Sequence, residues 1–403
     1  MMEHRAQRTE WRIVLLVWMA GLGAAVQFGK IAISLDSFRA IYDVGEVALG
    51  FLISCVGAVG LTLGVLGGIL ITRVGIRRAF VLGLLMAGLL SMLQAVLPAY
   101  PLMIALRVLE GATHLAIVIA GPILMARHSS DQARGAVMTL WSSFFGLSFM
   151  FIALLAPPIL SAGGLSALLL AHALYMSVLA VLLWCVLPAP ATPQRGMLKD
   201  VPLTFLNVIR IHIEIYRSPI TSAAALGFVW YTATYISVLT YLPGFVDDSY
   251  RTGLSASLPL ASILTSLTLG IFLLRLVEPV RAVQIGYGFV ILAAFPLLWT
   301  FGRDAAFVLA CLLLLGATGF VPGASFAALA SLNTTDTSRA YATGALAQMG
   351  NVGTTCGPPV LAAIVSGFDL LGLFVFVVLL SFFGILVHMV LSRRRNASFA
   401  RID

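Results

Sequence analysis

Residues 107–114 read RVLEGATH, with apolar sequence on both sides. On a helix Arg107, Glu110 and His114 share one face, and the stretch covers about 10 Å at 1.5 Å per residue. A cation, a carboxylate and an imidazole so placed can pair, hold a charged solute or exchange a proton. Lipid gives none of them hydration, so such groups face a cavity or a partner. A second cation, Lys30, lies in the first apolar run, with Gln27 a turn before it. Counting residues along each run puts Lys30 at the depth of Arg107 and Gln27 near that of Glu110. Lys30 is one of two lysines in the chain, and Glu110 is the only acidic residue inside an apolar run. Two cations facing one carboxylate make a net positive locus, suited to an anionic or zwitterionic solute. Desolvation favours the neutral carboxyl and nearby cations favour the carboxylate. Between these pressures Glu110 can change protonation, with Arg107 as its direct partner and His114 passing the proton inward. A fixed Arg107–Glu110 ion pair and a snorkelling Lys30 are the alternative readings. His172 and His388 have no charged company within their own runs and read as structural.

These residues need elements that hold them in lipid. Of 403 residues 60% are hydrophobic and 10% charged, against about 25% charged in soluble proteins, so the chain is an integral membrane protein. The net charge of +8 comes without a basic stripe or an aromatic RNA-binding motif, which excludes a nucleic-acid partner. Cys55, Cys185, Cys311 and Cys356 sit in apolar runs without ligand spacing, so neither a metal nor a cofactor is expected. Membrane lipid is the expected surroundings, and the chain reads as a monomer.

Runs of about 20 apolar residues fall at 13–34, 47–71, 79–98, 102–126, 135–160 and 165–187, then at 219–242, 254–276, 282–301, 305–330, 340–364 and 370–391. The first reads as an uncleaved anchor rather than a signal peptide. The expected fold class is all-α, with twelve spans in two six-helix bundles, 1–188 and 219–403, joined by a linker at 189–218. With the N-terminus inside, inner segments hold 19 of the 24 lysines and arginines, and outer loops hold only Arg39, Arg251 and Arg303. Both termini are therefore expected in the cytoplasm, and a bacterial inner membrane is the expected location. The linker's NVIRIHIEIYR alternates as a strand would. As a helix it carries Arg210, Glu214 and Arg217 on one stripe, and a helix at the cytoplasmic interface is preferred because a lone strand has no partner.

The halves echo each other. GATHLAIVIAGPILMARHSSDQAR at 111–134 aligns without gaps to GATGFVPGASFAALASLNTTDTSR at 316–339. The loop GILITRVGIRR carries Gly68, Arg73, Gly75, Arg77 and Arg78 in the spacing of a known signature, with Thr72 where an Asp is expected. Arg107, Leu109 and Gly111 match a fourth-span pattern, and Gly344, Gly353, Gly357 and Pro358 match a drug-antiporter spacing displaced to the eleventh span. On these residues the chain resembles the major facilitator superfamily over its whole length. The resemblance implies secondary transport by two bundles rocking about a central cavity, with Gly68, Arg73, Gly75, Arg77 and Arg78 as a conformational motif.

The seventh run adds Trp230, Tyr231 and Tyr235, a cavity wall apolar in body and polar at its tips. Asn351, Gln348 and Trp141 are further candidates, and Pro322 with Gly323 marks a hinge in the tenth run. No phosphate-binding loop is present, so ATP is not the energy source, and no HExxH or serine–histidine pattern suggests an enzyme. The expected function is secondary transport of a small organic solute, anionic or zwitterionic, driven by protons. A broad exporter of amphiphilic compounds and a non-transporting receptor are the alternatives.

Overall fold

The structure is a computed structural model that describes residues 8–44, 46–188 and 204–399. Linker residues 189–203, with Arg195 and Lys199, and the chain ends lie outside the described residues. Every regular element among the described residues is a helix. In chain order these are α1 (Trp11–Ile33), α2 (Leu35–Ile41), α3 (Glu46–Val74), α4 (Ile76–Ala95), α5 (Tyr100–Arg127), α6 (Arg134–Ser142), α7 (Phe144–Val186) and α8 (Phe205–Arg217). There follow α9 (Ala223–Tyr241), a 3₁₀ turn (Leu242–Phe245), α10 (Asp248–Thr265), a π-helical turn (Ser266–Gly270) and α11 (Ile271–Leu276). The chain ends with α12 (Pro279–Thr300), α13 (Asp304–Thr318), α14 (Phe320–Leu332) and α15 (Asp336–Phe399). Ten helical stretches among the described residues are long and apolar enough to cross a membrane.

Two long helices carry internal breaks. The 43-residue α7 turns at Gly163–Gly164, where Gly164 takes φ 66°, a conformation open to a residue without Cβ. The 64-residue α15 breaks at Asp369, with φ 45° and ψ −136°, angles outside the left-handed α region and ordinarily taken by glycine. Each break falls between two runs that the sequence separates. The fifth run, expected as one helix from 135 to 160, is interrupted instead, with Ser143 between α6 and α7. In the tenth run α13 passes into α14 through Gly319, whose backbone stays helical (φ −61°, ψ −20°) and whose N–H tightens onto the Gly316 carbonyl at 2.9 Å. Pro322 follows in the next turn and has no N–H for the Thr318 carbonyl.

Contacts divide the chain into two units, Met1–Asp131 with Phe144–Val208, and Gln132–Ser143 with Ile209–Asp403. In the first, α1 and α4 both pack on α5 and α7, and α3 packs on α5. In the second, α15 lies along α9, α12 packs on α13, α14 and α15, and α6 sits against α14. Outward positions are apolar (Leu154, Leu174 and Leu309 are exposed), as lipid-facing helices require. Residues 205–217 form a helix, not a strand, and the reason shows on its faces. Ile211 and Ile215 are buried, Ile209 and Ile213 are exposed, and Arg210 pairs with Glu214 at 3.8 Å. Three stripes of different polarity need helical periodicity; a strand has only two faces.

Candidate functional site

Three helices of the first unit, α1, α4 and α5, bring side chains to one carboxylate. Lys30 Nζ on α1 donates to Glu110 Oε1 on α5 at 2.7 Å. It also donates to Ser91 Oγ and Gln94 Oε1 on α4, at 2.9 Å each. Gln94 Nε2 donates to Glu110 Oε2 at 2.7 Å, and Arg107 Nη1 pairs with that same oxygen. Arg107 Nε donates to the Leu52 carbonyl of α3 at 2.8 Å, whereas its Nη2 has no hydrogen-bond partner among the described residues. Lys30, Arg107, Glu110, Ser91 and Gln94 are all 0% exposed. Bulk solvent does not reach these charges, so their sum matters: two cations and one carboxylate leave +1.

Small residues make this convergence possible. A methyl on Gly111 would lie 2.9 Å from Val59 Cγ2 and 3.0 Å from the Val56 carbonyl. This close approach of α5 to α3 brings Arg107 within reach of Leu52. A methyl on Gly23 would overlap Met176 of α7 and lie 2.9 Å from Tyr175. The same contact presents the Gly23 carbonyl to His172 Nε2 at 3.0 Å. A carbonyl only accepts, so Nε2 carries the ring proton and Nδ1 offers a lone pair. That Nδ1 lies 3.0 Å from Ser91 Oγ and 3.3 Å from Lys30 Nζ. His172 has no charged company within its own helix, as its sequence suggests, but α1 brings the Lys30 ammonium to it.

His114 sits elsewhere in the network. Its Nδ1 meets the Ala24 carbonyl at 3.0 Å and Gln27 Oε1 at 3.2 Å. Gln27 Nε2 donates to Thr113 Oγ1 at 3.1 Å, and Thr113 donates to the main-chain oxygen of Glu110 at 2.7 Å. Among the described residues these bonds lead from His114 to the Glu110 backbone, not to its carboxylate. Phe28 meets His114 edge-on at 5.0 Å, and Phe145 and Phe149 extend the aromatic face. His114 is half-buried while Gln27 is fully buried, so His114 is the network's most outlying titratable group.

Ser91, Gln94 and His172 were missed from sequence. Polar residues scattered singly through membrane helices carry no motif, and only the helix packing reveals their common target.

In the second unit Tyr231 stacks on Tyr235 at 5.5 Å and packs on Phe228 at 5.2 Å. Phe228 in turn meets Phe326 of α14. Trp230 stacks on Phe383 at 5.2 Å, and Trp230 and Tyr231 both pack against the cluster of Ala282, Val283, Tyr287, Val321 and Ala324. Asn351 donates to the Ala347 carbonyl at 2.7 Å, and Gln348 accepts from Tyr216 of α8 at 2.8 Å. Trp141 is fully buried. His388 is also fully buried, against Gly227, with neither ring nitrogen partnered among the described residues.

The loop motif has a local structural role. Gly75 takes φ 92° in the turn between α3 and α4. Arg77 then donates to the Leu187 carbonyl at 3.0 Å and the Trp184 carbonyl at 2.6 Å, with its guanidinium 4.5 Å from the Trp184 ring centre. A cation on the last carbonyls of a helix offsets their unpaired negative ends. Gly68 is buried in α3, Arg78 is exposed and Arg73 is half-buried.

Comparisons place this architecture among known proteins. A family model described as Major Facilitator Superfamily matches residues 13–346. No curated protein sequence matches the chain. The E. coli fucose:proton symporter FucP superposes with TM-score 0.75 at 13% identity, covering 95% of this chain and 99% of that one. The human organic anion transporter MFSD10 gives 0.74 at 16%, covering 96% and 100%. The proton:xylose symporter XylE gives 0.73 at 15%, covering 95% of each. The helical architecture and the match over most of its length make this chain a member of the major facilitator superfamily, an integral membrane transporter and not an enzyme.

Proposed function

We propose that the protein is a secondary transporter that moves a small anionic or zwitterionic organic solute by alternating access, coupled to protons at Glu110. In this reading the broken helices α7 and α15 each supply two passes, giving twelve. One observation carries the proposal: the buried Lys30–Glu110–Arg107 cluster sums to +1, and Arg107 Nη2 has no partner among the described residues. Buried charge is normally matched, and a solute carboxylate or phosphate supplies both the missing charge and the missing acceptor. Glu110 accepts from Lys30, Gln94 and Arg107, so it takes up a proton only when a donor lets go. A solute anion competing for Arg107 is such a trigger. His114 borders the network through Gln27, Thr113 and the Glu110 main chain, and His172 and Ser91 hold Lys30 in register. Of the similar structures, one is an organic anion transporter and two are proton symporters, which agrees with both halves of the proposal.

A second reading, proton-coupled sugar transport, is favoured by the Phe228–Tyr231–Tyr235 column beside α15, since aromatic faces suit apolar sugar faces. Thermal-shift screening against metabolite acids, amino acids and sugars separates the two.

Glu110→Gln tests the coupling. It keeps size and removes titration. With transport normalised to folded protein, solute counterflow should survive and proton-driven accumulation should be lost. If the variant accumulates solute against a gradient like its parent, Glu110 is not the coupling group.

A further inference from the structure

The first unit presents an acceptor that the Glu110 network leaves unused. His114 Nδ1 faces two oxygens, the Ala24 carbonyl and Gln27 Oε1. The Gln27 amide is fixed in that sense, because its Nε2 donates to Thr113, whose own proton goes to the Glu110 main-chain oxygen. Carbonyl oxygens only accept, so Nδ1 carries the proton, and in the neutral ring Nε2 keeps a lone pair. That Nε2 has no hydrogen-bond partner among the described residues, and the ring is only half-buried.

Three phenyl rings continue from it. Phe28 of α1 lies 5.0 Å from His114 and 5.9 Å from Phe145 of α7, and Phe145 lies 5.0 Å from Phe149. Phe145 is 37% exposed, and Phe28 and Phe149 are half-buried. Their open sides are not turned to lipid. At about 100° per residue, Phe28 points away from the exposed Leu15 and Met19 of α1, and His114 away from the exposed Ala105 and Leu109 of α5. Phe145 shares its side of α7 with the buried Ile152 and Ala156, opposite the exposed Leu154. Open aromatic rings turned away from lipid, around one polar acceptor, are the composition of a small-molecule site.

We propose that His114, Phe28, Phe145 and Phe149 form the specificity subsite for the body of the solute, and that the solute is a hydroxyaryl carboxylate. Its hydroxyl donates to His114 Nε2 while its acid group takes Arg107, so the proposal rests on the anion reading above. Charge and length narrow the occupant. His114 lies about 6 Å along α5 from Glu110 and about 10 Å from Arg107, at 1.5 Å per residue. A solute group that far from the acid meets a lone pair, so it must be a donor. An ammonium suits an acceptor among aromatic rings, but here it would stand near a cluster of charge +1 that bulk solvent does not reach, which repels it. A hydroxyl is neutral and escapes that repulsion. Phenyl rings favour an aryl partner packed edge-on or offset, and an aryl ring substituted at opposite ends holds an acid and a hydroxyl apart at a fixed distance.

The test is isothermal titration of the purified full-length protein in detergent with phenylacetate, para-methylphenylacetate, ortho-hydroxyphenylacetate and para-hydroxyphenylacetate. The para-hydroxy acid should bind about tenfold more tightly than the other three, the worth of one good hydrogen bond. His114→Phe keeps a ring against Phe28 and removes the lone pair, so it should level the four affinities. His114→Gln, whose side-chain oxygen reaches the position of Nε2, should restore part of the preference, and Phe145→Ala should weaken all four acids alike. Four equal affinities in the parent would overturn the role of the hydroxyl, and a para-hydroxy preference that survives His114→Phe would overturn the assignment to His114. Failure of all four to bind would overturn the subsite as a whole while leaving the anion reading to the thermal-shift screen, in which aliphatic acids would still bind.

Discussion

Glu110→Gln leaves Lys30 and Arg107 buried together with no anion, raising the cluster's charge from +1 to +2. Breaking a buried ion pair from one side costs about 3–5 kcal/mol, because it strands a charge. Lys30→Met should cost less, since Glu110 keeps Arg107 and Gln94 and the cluster becomes neutral. The bonds from Lys30 to Ser91 and Gln94 weigh little by comparison, at about 0.6 kcal/mol each in a membrane interior. The double variant returns the charge to +1, carried by Arg107 alone, so its cost should fall short of the sum of the singles by about 2 kcal/mol or more. Thermal unfolding in detergent measures all three. At roughly 2–4 °C per kcal/mol for a unit of this size, Glu110→Gln should lower the midpoint by roughly 6–20 °C. The double variant should then recover part of that loss. Additivity within about 0.5 kcal/mol would show that the two charges do not sense each other, and the reading of the cluster as one electrostatic unit would fail.

Arg77→Ala strips the cation from the last carbonyls of α7 and should cost about 1–2 kcal/mol, while the exposed Arg78→Ala should stay within about 0.5 kcal/mol of the parent; equal effects would deny Arg77 its capping role. Gly227→Ala drives a methyl into the His388 ring and should cost about 1–3 kcal/mol. Adding His388→Ala should recover part of it, and no recovery would mean the strain lies elsewhere. An impermeant thiol reagent applied to intact cells should label Arg251→Cys and spare Arg195→Cys; labelling at 195 would invert the expected topology.

The membrane helices were legible because hydropathy and lysine–arginine bias act over whole segments. Depth counting set Lys30 level with Arg107, and the structure puts its ammonium on Glu110, one turn along α5. Depth alone could not give rotation about each helix axis. Gln27, expected near the level of Glu110, turns to His114 and Thr113, and His172, read as structural, turns to Lys30. The hinge expected at Pro322 and Gly323 lies inside α14, where the backbone stays helical from Gly319 onward. The π turn at Ser266–Gly270 had no sign in the sequence, because nothing local forbids an ordinary helix there. Asp369 likewise carries the α15 break without the glycine that usually takes such angles.

The distribution of buried charge makes a last prediction, about the membrane potential. In the second unit the buried Asp336 and Arg339 lie at the start of α15 and Arg395 near its end, whereas Lys30, Arg107 and Glu110 lie within helices of the first. On the proposed mechanism a proton alone on Glu110 would raise the cluster to +2, and a monoanion alone would lower it to zero. Both together restore +1. The cluster's charge is then the same loaded and unloaded, so the two ligands favour each other's binding without any moving wire between them. One proton carried with one monoanion moves no net charge. Accumulation in proteoliposomes should therefore follow the pH gradient and ignore an imposed potassium-diffusion potential. A rate that rises steeply with inside-negative potential at fixed pH would mean that net positive charge moves with each solute, and the charge-matching account of a monoanion at Lys30, Glu110 and Arg107 would have to be abandoned.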